Sequence, residues 1–197
     1  MQTIFRFAIL SVLAMFLYGC GSLPYNVVKP AVTEPVSDKA MIVFMRPDRG
    51  GMAFMMGSAG GSGTYAMLYQ GDKYIGQLLP KHQLAYEVEP GKYNFMLAGF
   101  TADFMEAEVQ AGKKYFVNIE TIPMGIGIGF KFRPQNGQQD QAKLEQMHKA
   151  MKRVEPNEAG QKFAANHESK RMKLKEKYYT QWQNSKDRTV LNSNAGM

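Results

Sequence analysis

Residues Gln83–Ala98, QLAYEVEPGKYNFMLA, decide how this chain folds. Across Gln83–Glu89, Leu84, Tyr86 and Val88 alternate with Gln83, Ala85 and Glu87. A period of two sets one face of a strand on a core and turns the other toward solvent. Pro90-Gly91 then supplies a fixed φ followed by a residue free to take positive φ, as the central positions of a type II turn require. Lys92–Ala98 resumes the alternation, with Tyr93, Phe95 and Leu97 on one face. Strand, tight turn and strand make an antiparallel hairpin.

The same grammar extends in both directions. Upstream, Tyr65–Tyr69 and Lys73–Leu79 flank Gln70-Gly71-Asp72, a second hairpin signal. Before it, Ala40–Arg46 (AMIVFMR) is apolar enough for a central strand and is closed by Pro47. Downstream, Phe104–Gln110 leads through Ala111-Gly112 into Lys113–Thr121, and Ile126–Arg133 alternates Ile126, Ile128, Phe130 and Phe132 with Gly127, Gly129 and Lys131. Short strands with regular turn signals predict a mainly β fold, an antiparallel β-sandwich over residues 40–155. Within it, Pro134–Gln141 reads as a polar loop, Asp140–His148 as a short helix and Ala150–Glu155 as a returning edge strand. From Pro156 the pattern is helical, with Phe163, His167, Leu174, Tyr178 and Trp182 near one face. A basic C-terminal helix is expected over 156–190 and a frayed tail over 191–197.

The 197 residues carry 24 Lys/Arg against 17 Asp/Glu, a formal charge of +7. Eleven basic residues face ten acidic ones over residues 20–139, and twelve face seven over residues 140–190. The basic character therefore belongs to the C-terminal third. It suits an anionic envelope polymer, a lipid headgroup or an acidic protein rather than nucleic acid, and equally a solvated helix face.

At the N-terminus, Arg6 precedes the apolar run Phe7–Leu17, which ends in Leu17-Tyr18-Gly19-Cys20 with the only cysteine of the chain. Eleven residues fall short of the ~20 that span a bilayer, so the run reads as an export signal. It resembles a bacterial lipoprotein signal over residues 1–19. That resemblance implies cleavage before Cys20, a diacylglycerol on its thiol and an acyl chain on the new amino terminus. With Gly21 and Ser22 in place of a retention aspartate, it also implies residence at the outer membrane, facing the periplasm. Membrane attachment through Cys20 is thus the first partner expected. The following residues, 20–39, contain Pro24, Pro30 and Pro35 and read as a tether. Fully stretched, it would reach roughly 60 Å at ~3.1 Å per residue. A single cysteine leaves no disulfide framework, so stability must come from packing.

Four segments carry a further resemblance: Phe44-Met45-Arg46-Pro47, the run Tyr69–Leu78, Glu87–Tyr93 around Pro90-Gly91, and Ala111–Val117. Together with Val154–Gly160, they resemble the DUF2846 family of small β-sandwich domains in bacterial lipoproteins, akin to PEGA-type modules. The resemblance covers roughly two thirds of the chain, with Gly71-Asp72 standing where the family's hairpin usually has Asp-Gly. It implies a fold and no particular activity.

Chemistry-bearing constellations are few. The three histidines, His82, His148 and His167, are far apart with no HxxxH or HExxH, so spacing supports no metal site of N/S type. No serine stands in GxSxG, and Glu87, Glu89, Asp103, Glu106 and Glu108 fall along strands in the manner of solvating residues. The expectation is a protein that is not an enzyme and needs no cofactor, a partner-binding or accessory module of the envelope. Its candidate surface is the basic and aromatic set Lys170, Arg171, Lys173, Lys175, Lys177, Tyr178 and Trp182. The alternative is a helix whose aromatic face packs inward while its lysines stay solvated. A different function class rests on Gly50–Gly63 (GGMAFMMGSAGGSG), where Met52, Met55 and Met56 suit thioether binding of Cu(I) or a small ligand. With fifteen methionines in the chain, adaptable apolar contact explains them too. In Gly125-Ile126-Gly127-Ile128-Gly129, glycines on one strand face predict close approach by another backbone or an aromatic side chain, with a Phe or Tyr of a neighbouring strand as the expected partner.

Overall fold

The computed structural model describes residues 23–28, 34–35, 37–47, 65–124, 127–137 and 140–197. They form strands β1 (Tyr25–Val28), β2 (Ala40–Arg46), β3 (Ala66–Gln70), β4 (Lys73–Leu78), β5 (His82–Val88), β6 (Gly91–Ala98), β7 (Ala102–Val109), β8 (Lys114–Met124), β9 (Gly127–Pro134), β10 (Lys152–Pro156) and β11 (Val190–Leu191). Three helices accompany them: α1 (Gln141–Ala150), α2 (Glu158–Asn166) and α3 (Glu168–Gln183). The strands make a six-stranded sheet, β1-β10-β5-β2-β8-β9, and a five-stranded sheet, β11-β7-β6-β3-β4.

The hairpins form where the turn residues place them. Gly71 takes φ 57° and Gly91 φ 150° at the β3–β4 and β5–β6 turns. The sheets, however, are mixed. β2 runs parallel to β8, β10 to β5 and β11 to β7, which corrects the expectation of an antiparallel sandwich. The reason is long-range. β2 and β8 are separated by the whole β3–β7 stretch, so no tight turn forces them antiparallel.

Alternation along the strands builds four layers. Ile42, Phe44, Leu68, Phe95 and Leu97 meet between the two sheets, where Phe44 and Phe95 pack edge to face at 5.3 Å. Met41, Val43 and Met45 point the other way, beside Phe116 of β8 and under Leu144 of α1. Met67, Tyr69, Met96 and Phe104 face outward from the five-stranded sheet, under Ala164 of α2 and Leu174, Tyr179 and Trp182 of α3. With α1 on its outer face and the five-stranded sheet on its inner one, β2 is apolar at every position up to Arg46. Each large side chain fully buried there contributes about 1.5–3 kcal/mol. Arg46 closes one end of the inter-sheet core. Its Nη1 donates to Leu78 O at 2.8 Å, its guanidinium lies 4.7 Å from the Phe130 ring centroid, and burial pulls its pKa down to about 10.

Four further expectations are corrected. The tether is not loose throughout: Tyr25–Val28 pairs antiparallel with β10, and Glu34 accepts from the buried Lys114 ammonium at 2.9 Å. β10 is accordingly an interior strand between β1 and β5, not an edge. The C-terminal helix is two helices meeting at His167, whose ring Nδ1 bonds Phe163 O at 2.8 Å and stacks on the Phe163 ring at 4.1 Å. Nor is the tail frayed. Leu191 is buried beside β7, Ser193–Ala195 form a 3-10 turn, and Met197 exchanges backbone hydrogen bonds with Lys114 at 2.9 and 3.0 Å.

Candidate functional site: a cleft beside the third helix

The basic run of α3 separates into residues with different jobs. Arg171 is 2% exposed. Its Nη1 donates to Asp72 at 2.8 Å, its Nε donates to Glu168 at 2.8 Å, and its guanidinium lies 5.2 Å from the Tyr69 ring centroid. Lys175 adds a bond to Asp72 at 2.7 Å. These contacts pin the helix to the β3–β4 turn, so Arg171 is a structural latch and not part of a partner surface. Hydrogen bonds from Lys175 and Arg171 hold the Asp72 carboxyl below its usual range, and that from Arg171 does the same for Glu168. Lys170, Lys173 and Lys177 lie on the exposed side of α3, with Lys177 Nζ 5.1 Å from the Tyr178 ring centroid. Tyr178 and Trp182 are half-buried on the outer face of the five-stranded sheet, with Trp182 5.7 Å from Phe104.

Tyr178 and Trp182 also line a cleft of about 650 Å³. One wall is the last turns of α3 with Gln181 and Ser185. The floor is Ala102, Asp103 and Phe104 of β7. The far wall is the β8–β9 hairpin, contributing Ile122, Met124, Gly129, Phe130 and Lys131. Its volume lies within the range of ~300–1,000 Å³ typical of ligand pockets. The hairpin overhangs because β8 continues from Ile119 to Met124 beyond Asn118, the last residue paired with β2. Close packing at Gly129 holds it there, since a Cβ at that position would stand 2.9 Å from Met124 Sδ and Thr101 Oγ1. The glycine neighbours are therefore a methionine and a threonine, where an aromatic ring was expected. Close ring–glycine contacts fall instead at Gly99, against Phe130, and at Gly196, against Tyr115.

Charge in the cleft is mixed, with Asp103 and Asp187 opposite Lys131 and Arg133. Asp103 Oδ2 accepts from Phe132 N at 2.8 Å, tying β7 to the outer edge of β9. Burial pushes its carboxyl pKa up, against the pull of the backbone N–H groups of Phe132 and Phe104. Trp182 Nε1 is buried and has no hydrogen-bond partner among the described residues. Beside the cleft, Phe100 and Met124 are 42% and 37% exposed, and Phe100 N bonds Ile128 O at 3.3 Å. This apolar lip borders an aromatic wall and a charged mouth. The arrangement can hold a chain segment with apolar side chains and a free backbone.

The histidines have local structural contacts. His148 Nδ1 donates to Gln83 Oε1, and Gln83 Nε2 donates to His148 O at 2.7 Å and Met151 O at 3.1 Å, closing the end of α1. His82 bonds Pro80 O at 2.9 Å. Among the described residues no three His, Cys, Asp or Glu side chains group as metal ligands. Cys20 and the Met52, Met55 and Met56 cluster lie outside the described residues. Asp103, Phe104, Lys131, Gln181 and Asp187 are site residues that the sequence reading missed as a group. They come from β7, β9, α3 and the segment that follows α3, and β7 reads as an ordinary alternating strand with three acids, Asp103, Glu106 and Glu108, so no local signal sets them apart. Searches of family models, curated proteins and solved structures return no match to this chain.

Proposed function

We propose that the protein is a non-enzymatic module of the bacterial cell envelope. It is anchored by a lipidated Cys20 to the periplasmic face of the outer membrane and holds a polypeptide segment of an envelope partner in the α3–β8–β9 cleft. The cleft carries this reading, because it joins concavity, an aromatic wall and an exposed apolar lip at one place. The anchor rests on the Leu17–Cys20 pattern and its apolar run. The two stacked sheets support a sandwich of the kind implied by the resemblance to DUF2846 domains, with three parallel pairs added. The solvated lysines Lys170, Lys173 and Lys177 serve solubility and stand outside the contact surface in this reading.

The test is in-cell photo-crosslinking from Gln181 in the cleft wall and from Lys173 on the exposed side of α3. One dominant protein adduct from Gln181, lost in Met124→Ser and absent from Lys173, is the expected result. Adducts of equal strength from Lys173 would return the contact to the solvent face of the helix. Intramolecular adducts alone from Gln181 would overturn the cleft reading. Separately, Cys20→Ser moves the protein from the membrane fraction to the soluble fraction if the cysteine is the anchor.

A further inference from the structure

The strand register places the start of the described chain and the cleft lip at opposite corners of the six-stranded sheet. β10 runs parallel to β5 from the Lys152–His82 pair, and β1 runs antiparallel to β10 with Tyr25 opposite Pro156. Tyr25 therefore lies at about the level of Tyr86, which pairs with Ile42, itself opposite Tyr115. From Tyr115, β8 continues nine residues to Met124, about 30 Å at ~3.3 Å per residue. β1 and β9 are also the two edges of this sheet, five strand spacings or roughly 24 Å apart.

The first described residues are held firmly. Tyr25 is buried in the core, Asn157 Nδ2 donates to Leu23 O at 2.8 Å, and a Cβ on Gly160 would stand 2.2 Å from Pro24 O. Only three peptide units separate Cys20 from Leu23, so the Cys20 Cα lies at most about 11 Å from that of Leu23. A domain of this size has a radius of gyration of about 15 Å. The leash is shorter than the body it holds, and it enters where Leu23 and Val27 are exposed by 57% and 55%.

Resting on the lipid anchor proposed above, we infer that the domain stands on the bilayer at its β1 corner. Leu23 and Val27 meet the lipid surface, and the cleft with Met124 and Phe100 is held out toward the periplasm. The long flexible reach that the proline-containing segment suggested is removed by β1 itself. Two apolar side chains at the point of attachment add to the anchor, and the asymmetry leaves the cleft free for a partner that is not lipid. An engaging partner must present its segment some tens of ångströms from the headgroups.

The experiment uses the full-length lipidated protein in vesicles of phosphatidylethanolamine and phosphatidylglycerol. Mass spectrometry first establishes the acyl groups on Cys20. Val27→Cys and Met124→Cys are then labelled separately with an environment-sensitive fluorophore, and lipids carrying a headgroup spin label are added. Quenching at residue 27 at least three-fold stronger than at residue 124 is expected. Inserting ten Gly/Ser residues between Gly21 and Ser22 should bring the two toward equality. Equal or inverted quenching in the lipidated protein overturns the orientation while leaving the anchor standing. An unmodified Cys20 with no vesicle binding overturns both, and the mass spectrum distinguishes the two failures.

Discussion

The two helical covers of this molecule lie on the two outer faces and are held by different mixtures of contacts. α1 sits on the six-stranded sheet through methionines, Phe116, a buried neutral His148–Gln83 link and the pair of buried Lys114 with Glu145 at 3.2 Å. α3 sits on the five-stranded sheet through aromatic side chains and a charged latch, in which the buried Arg171 spans Asp72 and Glu168. A neutral imidazole in a dry contact resists protonation, whereas carboxylates bonded to a guanidinium resist neutralisation. The two covers should therefore yield to acid in different windows.

The hardest blow to either cover is loss of its apolar contact. Leu144→Ala under α1 and Phe104→Ala under Tyr179 and Trp182 should each cost about 3–4 kcal/mol in urea denaturation. If the covers are separate units, hydrogen exchange will speed up in α1 alone for the first and in α3 alone for the second. Acceleration of both helices by either variant would merge them into one cooperative body. Arg171→Leu comes next, at about 2 kcal/mol. That is less than for a fully buried pair, because Asp72 and Glu168 are mostly solvated and regain water when the cation is gone. The gap between wild type and this variant should narrow in 1 M salt. A gap indifferent to salt would mean the guanidinium acts through Tyr69 packing alone.

The pH windows sharpen the contrast. Burial lowers the His148 pKa from its ordinary 6.5, so the unfolded chain binds this proton more readily. The stability it contributes is present above pH 6.5 and lost as pH falls through the folded value. His82 shifts in the same direction, again mainly by burial. Asp72 and Glu168 are lowered from 3.8 and 4.5, so their contribution persists until pH falls below those values. His148→Gln should accordingly flatten part of the stability loss below pH 6.5 and leave the fall below pH 4 unchanged. Denaturant midpoints at pH 7.5, 5.5 and 3.5 check this, and an unaltered slope between the first two would remove His148 from the account.

What the chain disclosed in advance follows the same division between local and distant. The hairpins at Gly71 and Gly91 were legible because strand period and turn residue lie within a few positions of each other. The helix starts read at Asp140 and Pro156 were equally local, and in the structure the Asp140 and Asn157 side chains accept from backbone N–H groups two and three residues on. β1 was not legible: four residues between prolines acquire strand character from β10, more than a hundred positions later. Lys170–Lys177 reads as a uniform cationic face until Asp72, distant in sequence, singles out Arg171 and Lys175. The cleft was illegible for the same reason. Trp182 was visible as an aromatic on a basic helix, but the overhanging hairpin that makes it a wall depends on how far β8 outruns β2.

The smallest expected effect tests whether the cleft floor is charged for stability or in spite of it. Asp103 belongs to neither cover. It bridges the sheets at the β9 edge, satisfying Phe132 N and blocking a position where another strand could pair. Its pKa is raised above the ordinary 3.8, so the folded chain holds this proton more tightly than the unfolded one. Its contribution to stability therefore declines as pH rises from 3.8 through the raised value, opposite in sign to Asp72. In Asp103→Asn the amide oxygen still accepts from Phe132 N, and the charge that burial penalises is gone. The variant should melt a few degrees higher than wild type at pH 7 and at the same temperature at pH 3. A lower melting temperature at pH 7 would mean that Lys131 and Arg133 across the cleft need the carboxylate more than burial opposes it. The cleft would then be an electrostatic unit in its own right, distinct from both covers.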